Sequence, residues 1–212
     1  MAQYGDHASS PVILLLAAGE GSRYGGVKQL ASIDGEPMVR RVTRTIIEAA
    51  SPVIVVTGAH AEKVESVIDD LPLHLVRCDD WQLGMGQSLA AGVRFLLARF
   101  PDASAVLICL ADQPLLSSTS LQPLLQRHAQ APERLLATER NGICGPPVLF
   151  PRDCFPQLMT QSGPRGARAV LENEAMRVEA FASRETMDID TPEDLERVRQ
   201  WLADAHLHTK VP

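Results

Sequence analysis

The stretch LLLAAGEGSRYGGVKQL, residues 14–30, decides how this chain is read. An apolar run ends at two alanines and gives way to a loop holding four glycines, Arg23 and Lys28. So apolar a run, Val12–Leu16, suits a strand covered on both faces. The backbone after it is largely bare of side chains and carries two cations. Gly19, Gly21, Gly25 and Gly26 let amide groups approach phosphate oxygens, and Arg23 and Lys28 can neutralise them. Two common phosphate loops are excluded by spacing. G-x-x-x-x-G-K-[ST] fails because Val27 precedes Lys28 and Gln29 follows it, and G-x-G-x-x-G fails at Tyr24. Glycines and cations alone also suit a structural turn, so the rest of the chain has to decide.

Outward from this loop, β-type runs alternate with helical patterns. VIVV (53–56), LHLV (73–76) and AVLICL (Ala105–Leu110) are further strands. Met38, Val42, Ile46 and Ala49 mark a helix over 37–49, and Leu89, Val93, Leu96, Leu97 and Phe100 mark one over 88–100. The second half predicts helices over 121–129, 151–159 and 166–173, with strands at 135–138 and 148–150 around a turn at NGICGPP. A last helix runs from TPEDL to about residue 203. The expected fold is α/β, a mainly parallel sheet with helices on both faces. It forms a single domain over 11–205, with a nucleotide half to 114 and an acceptor half beyond, a flexible start (1–10) and a tail (206–212). His206 and His208 in that tail read as part of a frayed terminus.

Composition narrows the function. The net charge of −6 leaves no electrostatic footprint for nucleic acid or an anionic membrane, so an anionic ligand needs a local cluster of cations. No apolar run approaches the roughly 18 residues of a membrane span. The start MAQYGDHASSP lacks the basic and apolar regions of a signal peptide. Cys78, Cys109, Cys144 and Cys154 show no C-x-x-C spacing and read as reduced, mostly buried thiols of a cytoplasmic protein.

Three further segments carry chemistry. LADQP (110–114) sets Asp112 just past a strand, at the sheet end where the first loop also lies, placed to ligate Mg²⁺ or to cap a turn. In MDIDTPEDL (187–195), Thr191, Pro192 and Asp194 account for a helix start. Asp188 and Asp190 remain, two apart and on one face of an extended segment, and a second metal ligand is the simplest use for one of them. In DDWQLGMGQSLAAGV (79–93), Gly84 and Gly86 precede a helix whose first turn holds Gln87 and Ser88, suited to a base, ribose or phosphate and equally to ordinary capping.

LAAGEGSRYGGVK resembles the L-A-A-G-x-G-x-R-[MF]-G-x-x-K signature of nucleotidyltransferases. With VVTGAH, WQLGMGQSLAAGV, ADQP, GICGPPVLF, GPRGAR and DIDTPEDL in this order, the chain is similar to the molybdenum-cofactor cytidylyltransferases from residue 12 to 202. One departure stands at GPRGAR. The relatives show G-D-x-G-A-R there, and Pro164 cannot act as a carboxylate.

The resemblance implies a Rossmann-like nucleotidyltransferase that joins CMP from CTP to the terminal phosphate of molybdenum-molybdopterin, releasing pyrophosphate. It implies Arg23 and Lys28 on the triphosphate, and Asp112 and Asp190 on Mg²⁺ with Asp188 as support or alternative. Ala17, Ala18, Gly19, Gly21, Thr57, Gly58, Asp79 and Ser88 would frame the nucleotide. Gly145, Pro146, Pro147, Arg165 and Arg168 would face the pterin. A molybdoenzyme or its maturation chaperone is the implied protein partner. Related guanylyltransferases carry L-A-G-G where this chain has Ala18, which favours CTP. Two alternatives stay open: a nucleotidyltransferase for GTP or a sugar or polyol phosphate, and a non-catalytic nucleotide- or cofactor-binding chaperone.

Overall fold

Five consecutive residues with no exposed side chain, Val12–Leu16, form the central strand β1. Val12, Leu14 and Leu16 enter one hydrophobic core, Ile13 and Leu15 the other, as period-two alternation requires. The protein is described by a computed structural model covering residues 10–209 apart from Ser51 and Arg184. After β1 come a small hairpin of β2 (Ser32–Ile33) and β3 (Glu36–Pro37), α1 (Met38–Ala49), β4 (Val53–Thr57), α2 (Ala61–Glu65), β5 (His74–Arg77), α3 (Met85–Arg99) and β6 (Ala105–Leu110). The second half adds α4 (Ser118–Gln130), β7 (Leu135–Arg140), β8 (Ile143–Pro151), α5 (Phe155–Met159), α6 (Arg168–Asn173), β9 (Val178–Ala182) and α7 (Pro192–Thr209).

The sheet has seven strands in the order β5-β4-β1-β6-β8-β7-β9. β5, β4, β1 and β6 are parallel; β8 runs antiparallel to β6 and to β7, and β9 is parallel to β7. Leu89, Val93 and Leu96 of α3, with α5 and α6, cover one face, and Val39, Val42 and Ile46 of α1, with α2 and α4, cover the other. The mainly parallel, doubly covered sheet is thus the architecture that the apolar runs predicted. No helix among the described residues is long and apolar enough to cross a membrane.

Several boundaries differ from the sequence reading, each for a local reason. The turn at 141–147 shrinks to Asn141 and Gly142, both at positive φ; residues 143–145 pair with β7 in β8, and Pro146 and Pro147 fall at a register shift in the same strand. An Asn-Gly pair closes a two-residue hairpin, which forces the antiparallel return. α3 begins before residue 88, because Gly84 at φ 106° opens the helix. α7 continues past residue 203 to Thr209, burying Leu195, Val198 and Leu202 against Ile33, Met38, Leu115 and Ile189. The tail thus begins inside a helix; the side chains of His206 and His208, and residues 1–9 and 210–212, lie outside the described residues. β9 escaped detection because it is a short, partly exposed edge strand. The four cysteines are free, and burial pushes the Cys154 thiol up to about 12.

Candidate functional site

Parallel strands end on one side of the sheet, and there the loops after β1 and β6 bound a cleft of about 430 Å³. The ladder persists one residue past β1: the Ala17 N–H donates to the Val56 carbonyl (2.8 Å) and the Ala111 N–H to the Leu16 carbonyl (3.1 Å). Beyond it, the N–H groups of Ala18, Gly19 and Glu20 have no acceptor among the described residues. Gly21 is the tight point of the loop. It sits at φ 73°, and a Cβ there would lie 3.0 Å from the Gly26 carbonyl oxygen and 3.2 Å from Lys28 Cγ. The loop therefore folds back so that the short 3₁₀ turn Lys28–Leu30 returns both Lys28 and Gln29 to the cleft.

Lys28 Nζ lies 2.7 Å from Asp112 Oδ2, 3.1 Å from Asp190 Oδ1 and 3.1 Å from the Ile189 carbonyl oxygen. Arg23 reaches Asp190 Oδ2 at 2.9 Å. Burial works against the charged ammonium, but Asp112 and Asp190 outweigh it and hold Lys28 above its ordinary 10.5. The Ile189 N–H donates to the Asp112 carbonyl (2.9 Å) and its side chain is fully buried, so its neighbours Asp188 and Asp190 both line the cleft. Asp188 Oδ1 accepts from Gln113 Nε2 at 2.8 Å. Burial, then the nearby Asp112 carboxylate, push its carboxyl above the ordinary range. Thr191 and Asp194 form the reciprocal cap of α7, as their spacing suggests: Asp194 Oδ2 accepts from the Thr191 N–H (2.9 Å) and Thr191 Oγ1 from the Asp194 N–H (3.3 Å).

The residues expected around the nucleotide divide. Ala17, Ala18, Gly19 and Ser88 line the cleft, together with Trp81. A Cβ at Gly58 would lie 2.7 Å from the Ala18 carbonyl oxygen and 2.8 Å from both Ala18 Cβ and Trp81 Cβ, so these three residues are packed as one wall. Gly58 and Asp79 line a neighbouring polar cavity of about 360 Å³, which shares Trp81 with the main cleft. Thr57 corrects the expectation. It is fully buried and its hydroxyl donates to Glu65 Oε1 at 2.7 Å, which turns it away from any ligand. At the start of α3 the Gly86 N–H donates to the Gly163 carbonyl (2.9 Å) and is not open to phosphate, whereas Ser88 in the same turn does line the cleft.

That hydrogen bond belongs to a backbone-on-backbone contact. A Cβ at Gly84 would fall 2.4 Å from the Gly163 carbonyl carbon, and one at Gly86 would fall 2.6 Å from the Ser162 backbone. The strap 162–166 therefore lies directly on the start of α3 and brings Pro164 into the cleft. Arg165 and Arg168 stand outside it, exposed and both paired with Glu172. Gly145, Pro146 and Pro147 sit on β8 beside the cleft, and the Pro146 carbonyl accepts from Gln113 Nε2 at 3.2 Å. Of the expected acceptor residues none lines the cleft directly: Gly145 pairs with Thr138, the Pro146 and Pro147 carbonyls accept from the Gln113 and Thr138 side chains, and Glu172 engages both arginines.

Sequence reasoning missed Gln29, Gln113 and Trp81. Gln113 and Trp81 lie inside motifs that the sequence marks, D-Q-P and W-x-x-G-M, but what they do depends on their packing against Asp188 and Gly58. Gln29 carries no such signal, because its amide meets the Ala17 and Gly19 carbonyls only once the loop has folded back.

The sequence pattern of the MobA-like NTP transferase domain matches residues 13–180. The purine catabolism protein PucB of Bacillus subtilis is 32% identical over 207 residues, covering 90% of this chain and 98% of that protein. Nicotine blue oxidoreductase of Paenarthrobacter nicotinovorans is 32% identical over 204 residues, covering 88% and 92%. Among solved structures, Rv0371C of Mycobacterium tuberculosis in complex with manganese shares the fold at a TM-score of 0.73 and 22% identity, covering 91% of this chain and 99% of that one.

Proposed function

The chain belongs to the MobA-like NTP transferase family, and from that premise we propose that it transfers CMP from CTP to the terminal phosphate of molybdenum-molybdopterin. The observation that carries the reading is the convergence of Arg23 and Lys28 with Asp112, Asp188 and Asp190 at the strand ends. An acceptor phosphate oxygen forms a bond to the α-phosphorus of CTP while the bond to the β-phosphate oxygen breaks in line, giving the cytosine dinucleotide cofactor and pyrophosphate. Such chemistry depends on positioning and charge neutralisation and needs no covalent protein group. Arg23 and Lys28 take up negative charge on the triphosphate and on the departing pyrophosphate. The free N–H groups of Ala18, Gly19 and Glu20 receive its oxygens.

A divalent cation, Mg²⁺ in this reading, fits the donor set. Carboxylate oxygens suit a hard cation, and Asp112 Oδ1 is buried without a hydrogen-bond partner. Asp112 and Asp190 would hold it, with Asp188 in support, and bound there it supplies positive charge to the phosphate oxygens. Ala17, Ala18, Gly19 and Ser88 meet the ribose and base, with Gly58 and Asp79 on the far side of Trp81. The pterin would meet Pro164 in the cleft, with Gly145, Pro146, Pro147, Arg165 and Arg168 outside its lining as the proposed further contacts. A cytosolic, reducing setting agrees with four free cysteines.

The test is pyrophosphate release with each of the four nucleoside triphosphates, with and without molybdenum cofactor, alongside NADH and NADPH oxidation because one relative is named an oxidoreductase. The expected result is release that needs CTP and the cofactor together, with the dinucleotide product detected by mass. Nucleotide-independent oxidation of a nicotinamide cofactor, or release with a sugar phosphate instead, would displace this reading.

A further inference from the structure

Gln29 is 3% exposed, yet it is a polar side chain beside a cleft with no charge of its own to contribute. Its Nε2 donates to the Gly19 carbonyl at 2.6 Å and to the Ala17 carbonyl at 3.3 Å. Its Oε1 is buried with no partner. An apolar residue of the same length would avoid an unsatisfied buried oxygen, so burial alone gives no reason for an amide here. What the amide supplies is two N–H donors to two carbonyls of one loop.

The consequence follows from peptide geometry. In a planar trans peptide the carbonyl and the next residue's N–H point in opposite directions. Holding the carbonyls of Ala17 and Gly19 toward Gln29 turns the N–H groups of Ala18 and Glu20 away from it, and these are among the N–H groups left without an acceptor. Ala18 and Glu20 both line the cleft. Gln29 also follows Lys28 in the same turn, so one short element fixes both the loop backbone and the ammonium.

We propose that Gln29 is a positioning residue for the nucleotide, which keeps the Ala17 to Glu20 backbone in the one orientation that presents its N–H groups to anionic oxygens. The inference rests on the nucleotidyltransferase reading and assigns part of its triphosphate affinity to a residue that acts through the loop backbone. The same stretch is held from its other side, where the Ala18 carbonyl accepts from the Ala59 N–H (3.1 Å) and the Glu20 carbonyl lies 3.0 Å from His60 Nε2. Gln29 adds the hold on the two remaining carbonyls, and fixing them beforehand removes the entropic cost of ordering them from binding.

The experiment compares wild type with Gln29→Met, which keeps length and removes the N–H donors, and Gln29→Glu, which sets acceptors against the two carbonyls. CTP binding is followed by the fluorescence of Trp81 in the cleft wall, with thermal unfolding and steady-state kinetics run beside it. In Gln29→Met the Kd and KM for CTP rise at least about tenfold while the KM for the molybdopterin acceptor changes by less than about twofold, and Gln29→Glu is worse on the nucleotide side alone. A merely structural glutamine would lower thermal stability and leave this split absent. Should Gln29→Met fail to fold, Gln29→Glu carries the same comparison, and loss of folding in both overturns the proposal in favour of a structural role. Unchanged CTP affinity in either folded variant also overturns it. A wild-type protein that binds none of the four triphosphates would remove the functional reading and this inference together, whereas normal wild-type binding with indifferent variants would remove this inference only.

Discussion

Lys28 Nζ lies 2.7 Å from Asp112 Oδ2, although 84 positions separate them in the chain. The same ammonium reaches Asp190, so one cation ties the loop after β1 to the end of β6 and to the segment leading into α7. A loop lysine is thereby a structural counter-charge in addition to the triphosphate-binding role proposed for it. Lys28→Ala should cut turnover by about 10²-fold or more, the effect of losing a preorganised electrostatic group. It should also cost stability, on the order of 1–3 kcal/mol, since Asp112 and Asp190 are left facing each other. Millimolar Mg²⁺ should then raise the melting temperature of Lys28→Ala more than that of wild type. Because the folded ammonium titrates above 10.5, the stability difference is full below that pH and falls only as pH rises through the folded value. Melts at pH 7 and 9 should therefore show the same difference.

The carboxylates form a unit. Asp112→Asn and Asp190→Asn should each remove most divalent-cation-dependent activity, and the double variant should be little worse than either, because residues sharing one ion are not additive. Asp188→Asn should be milder, since Asp188 already accepts from Gln113. Single-turnover assays across a Mg²⁺ titration decide the order. A crippled Asp188→Asn beside a healthy Asp190→Asn would exchange the two roles.

Thr57 separates fold from function. Thr57→Val should leave the KM for CTP unchanged and lower stability by about 1–3 kcal/mol, the range for a buried hydroxyl bonded to a carboxylate. Arg77, and then Thr57, hold the Glu65 carboxyl below its ordinary 4.5. That stabilisation is present above pH 4.5 and disappears as pH falls through the lowered value. Chemical denaturation at pH 7 and at pH 3 should thus give a wild-type advantage that shrinks in acid.

The contact between Gly86 and Ser162 has no room for a side chain. Gly86→Ala should destabilise the protein by about 1–3 kcal/mol through overpacking, and should raise the acceptor KM by displacing Pro164. Arg168→Lys is the comparison. Arg168 is exposed and paired with Glu172, so acceptor KM should change less than in Gly86→Ala. A larger effect at Arg168 would mean that the strap closes over the acceptor during turnover.

Base choice tests the Ala18 position. Competition assays should favour CTP over GTP by at least about tenfold, a value within reach of one misfit in a packed pocket. Ala18→Gly should shift this only partly, because Ala18 is packed against Gly58 as well as lining the cleft. GTP winning in the wild-type protein would overturn the cytidylyl assignment and leave nucleotidyl transfer in place.

What the sequence by itself determined is the part governed by local pattern. Runs apolar on both faces, such as Val12–Leu16 and Ala105–Leu110, have one stable use, a covered parallel strand. The glycine loop and Asp112 follow directly from where those strands end, and the Thr191, Pro192 and Asp194 cap was legible within four residues. Only the tertiary structure decided which side chains were already engaged. Thr57 looks available until Glu65 is packed beside it, and nothing near Lys28 in the chain points to Asp112, 84 positions away. Gln29 looked inert until the loop folded back over it. The reason is physical. Strand and helix patterns are repeated over neighbouring residues, whereas a hydrogen bond or ion pair between distant positions leaves no period in the chain, and exists only once packing has brought its two ends together.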